Sequence, residues 1–415
     1  MKVKKYFYFL VTAVLFFSTK NTLPQSLPVA KPAEVEMSAE RLEKADPVIE
    51  HAIKEGYIPG AVLLVARKGK VVLRKAYGYA QLTPTKKKMK PEMIFDLASI
   101  TKPMATATSI MILVENGKIR LQDHVTEFVP DFTAYRATDG ASNNSSRLYH
   151  LMTHTSGLPP YYNADSLQIK YGYVCSIDSA ATFMGTLNKS NAPGDEFHYS
   201  CLGFITQAKI IKQVSSMDIT QFSRKHIFEP LGLQHTGFIK QIDETTPDPQ
   251  NHLIKAYSDL IVPTELFKGK PLSGTVHDPL ARTLGGISGN AGLFSNADDM
   301  VIFAQMFLNG GTYNGVRILS RLSVEMMTSI YPATKEAGRG LGWDISSEYS
   351  SNGGDLFPLG GFGHTGYTGT SIWISPATET IVILLTNRVH PKDEHGSAVV
   401  RLRSQIANIV ASSIL

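Results

Sequence analysis

The sequence predicts an α+β fold: an antiparallel sheet built from both chain ends, flanked by helices, with a mainly helical region inserted between. Three observations carry this. Short apolar runs bounded by turn residues occur early, at 61–66 and 71–76, and again late, at 370–375 and 380–385. The stretch between them mixes helical spacing with polar loops. No internal repeat is present, so the two β-rich ends complete one sheet.

Composition sets the bounds. The chain has 415 residues, 43% hydrophobic and 19% charged, which is globular usage and excludes a disordered chain. Two cysteines, Cys175 and Cys201, exclude a disulfide scaffold and any four-cysteine metal site. Whether the two pair is left open by sequence. The net charge of +5 is local: Lys2, Lys4, Lys5 and Lys20 lie in the first 20 residues, and without them the balance is +1. That removes the electrostatic case for nucleic acid.

The elements follow in order. Basic Lys2, Lys4 and Lys5 precede an uncharged run from Tyr6 to Thr19, the pattern of a secretory signal. As a helix that run would span only about 21 Å, short of a ~30 Å hydrocarbon core. An exported protein, periplasmic or extracellular, is expected, with an uncleaved tether as the alternative. The expected division is 1–25 signal, 26–37 linker and 38–415 one domain, its sheet from about 38–97 and 275–415, its helical insertion from about 98–274. Asp46-Pro47 reads as an N-cap followed by Pro at N1, with Val48, Ile49, Ala52 and Ile53 on one helical face. The runs at 61–66 and 71–76 form a hairpin around Lys68-Gly69. Lys86 to Lys90 reads as a solvated loop. Ile94 to Ala98 is a short strand or loop. Lys102 to Glu115 is a helix apolar on most faces, hence buried and central, and closed by Asn116-Gly117. Leu202 to Val214 is helical. Thr370–Ser375 and Thr380–Leu385 form an antiparallel pair, and Ser397 to Ile414 an amphipathic helix.

Chemistry concentrates in three places. The absence of H-E-x-x-H, P-loop and G-x-S-x-G sequences removes several enzyme classes. G-x-G-x-x-G at 361–366 precedes a strand rather than a helix and is a false dinucleotide signal. Ser99-Ile-Thr-Lys102 opens the buried helix, where residues three apart share a face. Lys102 then reaches the Ser99 hydroxyl, and the helix start supplies backbone N–H groups. A serine nucleophile needs that base and that donor, although an N-capping serine is the plainer reading. Tyr199-Ser200-Cys201 precedes a helix, and His364-Thr365-Gly366-Tyr367 leads into a strand. His277, Asp278 and Trp343 are further candidates to line a cleft.

S-x-x-K, a loop tyrosine and a Gly-flanked strand edge in this order resemble the serine β-lactamase and penicillin-binding-protein superfamily, in its class C β-lactamase-like branch. Leu151-Met-Thr-His-Thr-Ser-Gly-Leu-Pro159, Gly292-Leu-Phe-Ser295 and Leu341-Gly-Trp343 strengthen the likeness, which spans about residues 40–415. The resemblance implies a β-lactamase/transpeptidase-like fold and a serine hydrolase without metal or cofactor. It implies an acyl-enzyme on Ser99, proton handling by Lys102 and Tyr199, an oxyanion hole from the N–H groups of Ser99 and Tyr367, and substrate contacts from His364, Thr365 and Gly366. The expected partner is a small molecule or peptide, a cell-wall fragment or ester, with no membrane span beyond the N-terminal signal. Peptidoglycan-type D-amino-acid peptides or small esters are the expected substrates. A class C-like β-lactamase and a penicillin-recognising sensor with little turnover are the alternatives. Two departures stand out. Cys201 occupies the position where many members carry an amide-binding Asn, and His364 that of a Lys. A thiol is a poor replacement for a carboxamide, and His a weaker carboxylate anchor at pH 7.

Overall fold

A computed structural model describes residues 26–415 except 141, 144, 145 and 348. The expected signal segment lies outside the described residues. Among the described residues, six strands make the main antiparallel sheet, in the order Phe362–Thr365, Ser371–Ser375, Thr380–Thr386, Gly60–Arg67, Lys70–Gln81 and Lys87–Lys88. Late and early strands meet at its centre, where Ala61 to Arg67 pair with Thr386 to Thr380. The sheet therefore joins both ends of the chain, as the apolar runs require.

Burial on two faces explains why these strands read as continuous apolar runs. Side chains alternate across a strand. Val62, Leu64, Ala66, Ile381, Ile383 and Leu385 pack into the larger core. Ala61, Leu63, Val65, Val382 and Leu384 pack the other way, against helices Ala45–Lys54 and Gly396–Ser412. The first of these helices starts before the expected cap. Lys44 is its N-cap, and Asp46 instead accepts from the Tyr77 hydroxyl at 2.6 Å. Residues 26–37 are no linker: Val29 bridges to Val71, Met37 to Ile414, and Val35 and Met37 are buried against the helical face. Polar spacing around a few apolar anchors hid this at the level of sequence.

The inserted region is mainly helical and contributes one strand to a second small sheet. There Leu293–Ser295 lies between Phe95–Asp96 and Gly237–Phe238. Helix Cys201–Ser215 and the helical stretch beginning at Lys102 fill the larger core. That stretch is wide-turned over Lys102–Ala107 and regular over Thr108–Glu115. Pro103 lacks an N–H, and its carbonyl takes the Thr108 hydroxyl at 2.8 Å. Wide turns of this kind recur at functional sites.

Candidate active site

The strand Phe95–Asp96 delivers the chain to Ser99 through a strained turn. Ala98 has φ 46°, in the region that disfavours side chains. The buried Asp96 carboxylate fixes that turn. Its Oδ1 accepts from Ala98 N–H at 2.8 Å and its Oδ2 from His277 N–H at 2.7 Å. Burial pushes the Asp96 carboxyl up, and these two donors oppose the shift.

Ser99 and Lys102 meet as the spacing predicts. Lys102 is fully buried, and its Nζ donates to Ser99 Oγ at 2.9 Å and to Asn290 O at 2.9 Å. It also lies 3.6 Å from Cys201 Sγ and 5.0 Å from the centre of the Tyr199 ring. Burial works against the ammonium, but Cys201 and Tyr199 beside it outweigh burial and hold Lys102 above its ordinary range. Burial pushes the Cys201 thiol up, with Lys102 opposing.

Tyr199 is held by a stack that sequence reasoning missed. His154 lies parallel to it at 4.2 Å and 27°, and Tyr349 covers it at 5.1 Å. His154 has φ 60°, a second strained residue at the site. Its Nδ1 accepts from Ser200 N–H at 3.0 Å, which anchors the ring. Burial first, then Arg339 and Lys102, hold His154 well below the usual histidine range.

The segment 364–370 is stitched to the residues that lead into Ser99. Thr368 Oγ1 donates to Asp96 O at 2.7 Å and Thr370 Oγ1 to Leu97 O at 3.2 Å. Gly366 is required by this approach: a Cβ there would lie 2.1 Å from Thr370 Oγ1 and 2.4 Å from Leu97 O. Arg403, on the C-terminal helix, donates to Gly366 O at 2.8 Å and Thr370 O at 3.0 Å. The Tyr367 backbone is thereby fixed next to the Ser99 turn. The Tyr367 ring points outward between the His277 ring at 5.6 Å and the Arg388 guanidinium at 4.5 Å, with its hydroxyl on Asp393 at 2.6 Å.

Other candidates fall differently from expectation. His364 is 3% exposed, and its Nδ1 donates to Thr365 O at 2.8 Å. Burial first, then Arg339 and Lys102, keep it neutral, so it presents no charge to a carboxylate. Thr365 is half-buried at the end of the edge strand. Trp343 does not border the cleft. It is 0% exposed and packs edge-on against Phe307 and Phe362. Asp278 caps the short helix Pro279–Thr283 and accepts from Asn290 Nδ2 at 3.2 Å. Cys175 and Cys201 are both free thiols. Among the described residues, no group of three His, Cys, Asp or Glu side chains could hold a metal ion.

Comparison with known proteins agrees with this geometry. A protein of Salmonella typhimurium, provisionally named D-alanyl-D-alanine carboxypeptidase, is 31% identical over 401 residues, covering 92% of this chain and 91% of its own length. The N-acetylmuramyl-L-alanine amidase of Bacillus subtilis is 29% identical over 94% of this chain and 92% of its own. Two solved structures share the fold. EstCE1, described as a hydrolase with promiscuous acyltransferase activity, aligns with a TM-score of 0.69 at 24% identity, over 90% of this chain and 99% of its own. The octameric penicillin-binding protein homologue of Pyrococcus abyssi aligns at 0.66 and 23% identity, over 90% of this chain and 79% of its own. Residues 45–405 match the Beta-lactamase family directly, and the chain belongs to that family of serine hydrolases.

Proposed function

We propose that the protein is an exported hydrolase that forms an acyl-enzyme on Ser99 and acts on peptidoglycan-type D-amino-acid peptides or small esters. The observation that carries the reading is the 2.9 Å contact from the buried Lys102 Nζ to Ser99 Oγ, with Tyr199 beside it. Ser99 Oγ attacks the substrate carbonyl carbon, and its proton passes into the Lys102–Tyr199 pair. Lys102 is held above its ordinary range, so the Tyr199 hydroxyl beside it shares in handling the proton. The developing oxyanion is received by the N–H groups of Ser99 and Tyr367. The pair then returns the proton to the leaving group, the acyl carbon–leaving group bond breaks, and water releases the acid.

The names of the Salmonella and Bacillus relatives support a cell-wall peptide as substrate. Export rests on the basic and apolar pattern of residues 2–19. Cys201 favours a second substrate class, esters, because a thiol offers a carbonyl no strong donor and an amide N–H no strong acceptor. A substrate panel tests the reading. Release of a D-amino acid from a peptide, or of p-nitrophenol from a short ester, is the expected result. Rapid cephalosporin hydrolysis without either activity would favour a β-lactamase, and a stable penicillin adduct without turnover a sensor.

A further inference from the structure

Hydrolysis of an acyl-enzyme needs a water as well as a serine, and that water must lose a proton as it attacks. Lys102 and Tyr199 already serve Ser99. Lys102 Nζ is engaged by Ser99, Asn290 and Cys201, and it holds its proton above the ordinary lysine range. Most carboxylates around the site are committed elsewhere. Asp96 accepts two backbone N–H groups. Asp393 takes Arg388 on one oxygen and the Tyr367 hydroxyl on the other. Glu265 faces His277 at 3.7 Å, and Asp344 faces Arg339 at 3.3 Å.

Asp278 differs. It is half-buried, and only one of its oxygens is used. Oδ1 accepts from Ala281 N–H at 2.8 Å and from Asn290 Nδ2 at 3.2 Å. Oδ2 has no hydrogen-bond partner among the described residues. The two bonds on Oδ1 fix the carboxyl, so Oδ2 is held in place while uncommitted. Asn290 ties it to the chemistry. The Asn290 carbonyl takes Lys102 Nζ at 2.9 Å, and the Asn290 side chain bears on the Cys201 thiol. One residue therefore separates Asp278 from the cation that touches Ser99 Oγ at 2.9 Å. Tyr161 closes the same wall. Its hydroxyl accepts from Leu280 N–H at 3.0 Å, and the preceding Pro160 O accepts from Cys201 N–H at 2.9 Å. Tyr199 has other neighbours, His154 and Tyr349. Lys102 joins the two sets.

We propose that Asp278 Oδ2 binds the water that hydrolyses the Ser99 acyl-enzyme and takes its proton, so that acylation and deacylation use different bases. This rests on the reading of Ser99 as nucleophile. The water oxygen bonds to the acyl carbon while one of its protons passes to Oδ2. The bond from that carbon to Ser99 Oγ then breaks, and Oγ takes a proton from the Lys102–Tyr199 pair. The acid product leaves, and the proton on Asp278 restores the pair through solvent.

Asp278→Asn and Asp278→Ser test this. Both side chains keep an oxygen that can cap Ala281 N–H, and neither is a carboxylate. With a p-nitrophenyl ester, each variant is expected to release about one equivalent of p-nitrophenol in a fast burst. Turnover is then expected to be about 10²–10⁴-fold slower than in the unmodified protein, the usual range for loss of a general base. Mass spectrometry is expected to find the acyl group held on Ser99. Fluorophosphonate labelling of Ser99 is expected to stay within about threefold of the parent rate. A folded variant that keeps its turnover within about threefold and holds no acyl group overturns the proposal. So does a variant that slows labelling and turnover alike, because Asp278 then serves acylation or the fold. Failure of the reading beneath looks different: the unmodified protein itself would leave Ser99 unlabelled.

Discussion

Lys102 has three neighbours within reach of its Nζ and no water-exposed surface, so its proton can go only to groups already in the site. Lys102→Met is expected to slow Ser99 acylation by about 10²–10⁴-fold, the usual range for loss of a positioned proton carrier. Time-resolved labelling at pH 7 measures it, and a rate within threefold of the parent, roughly 0.7 kcal/mol, would remove Lys102 from the chemistry. Cys201 sets the other residue-scale expectation. Replacing its thiol by a carboxamide, Cys201→Asn, is expected to raise amide or β-lactam turnover about tenfold relative to ester turnover, the worth of one hydrogen bond. Parallel kcat/KM measurements on an ester and its amide show whether the ratio moves. Lys102 was legible because it stands three residues after Ser99 on one turn, and Cys201 because it stands two residues after a loop tyrosine. His154, Arg339 and Asn290 were not, because each reaches the site only through folding. His154 stacks on Tyr199 from 45 residues earlier in sequence.

At the scale of elements, the site is a junction of three: the turn after Phe95–Asp96, the start of Cys201–Ser215, and the end of Phe362–Thr365. Arg403 locks the last of them from the C-terminal helix. Burial lowers its guanidinium to about 9, so the cation persists at neutral pH. Arg403→Met is expected to cost about 2–3 kcal/mol of stability, since two carbonyls lose charged donors. It is also expected to lower kcat more than it raises KM, because the oxyanion contact proposed for the Tyr367 N–H acts on the transition state more than on bound substrate. Thermal unfolding and steady-state kinetics on an ester check both parts. A stability loss with unchanged kcat would make Arg403 purely structural. The strands and central helix were visible in sequence through short continuous apolar runs and an all-round apolar helix. Gly366 was visible as a motif glycine, but its physical reason, the Leu97 O that would lie 2.4 Å from a Cβ there, is a long-range fact.

For the whole molecule, one sheet uses both chain ends, and three histidines, His150, His154 and His364, are buried neutral around its inserted region and edge. Burial lowers His150 to about 4, and the other two lie well below their ordinary value. The sign follows from proton counts: below about pH 6.5 the unfolded chain binds protons that the folded chain refuses. Stability is therefore full above that pH and falls as pH drops toward 4. His150 alone contributes on the order of 3 kcal/mol to that loss. Urea midpoints between pH 4 and 7 measure it, and a flat profile would mean that these rings are open to solvent. Residues 26–37 show where whole-molecule legibility stopped. Three anchors, Leu27, Val35 and Met37, suffice to dock a polar-looking segment, and such sparse contacts leave no periodic signal.

The central claim is that Ser99 carries the acyl group. Treating the protein with a fluorophosphonate or a fluorescent penicillin, then mapping the modified peptide by mass spectrometry, tests it most directly. The account predicts one adduct, on Ser99, and none in a folded Ser99→Ala variant. An adduct that persists in Ser99→Ala, or that maps to another residue of the parent protein, would contradict it.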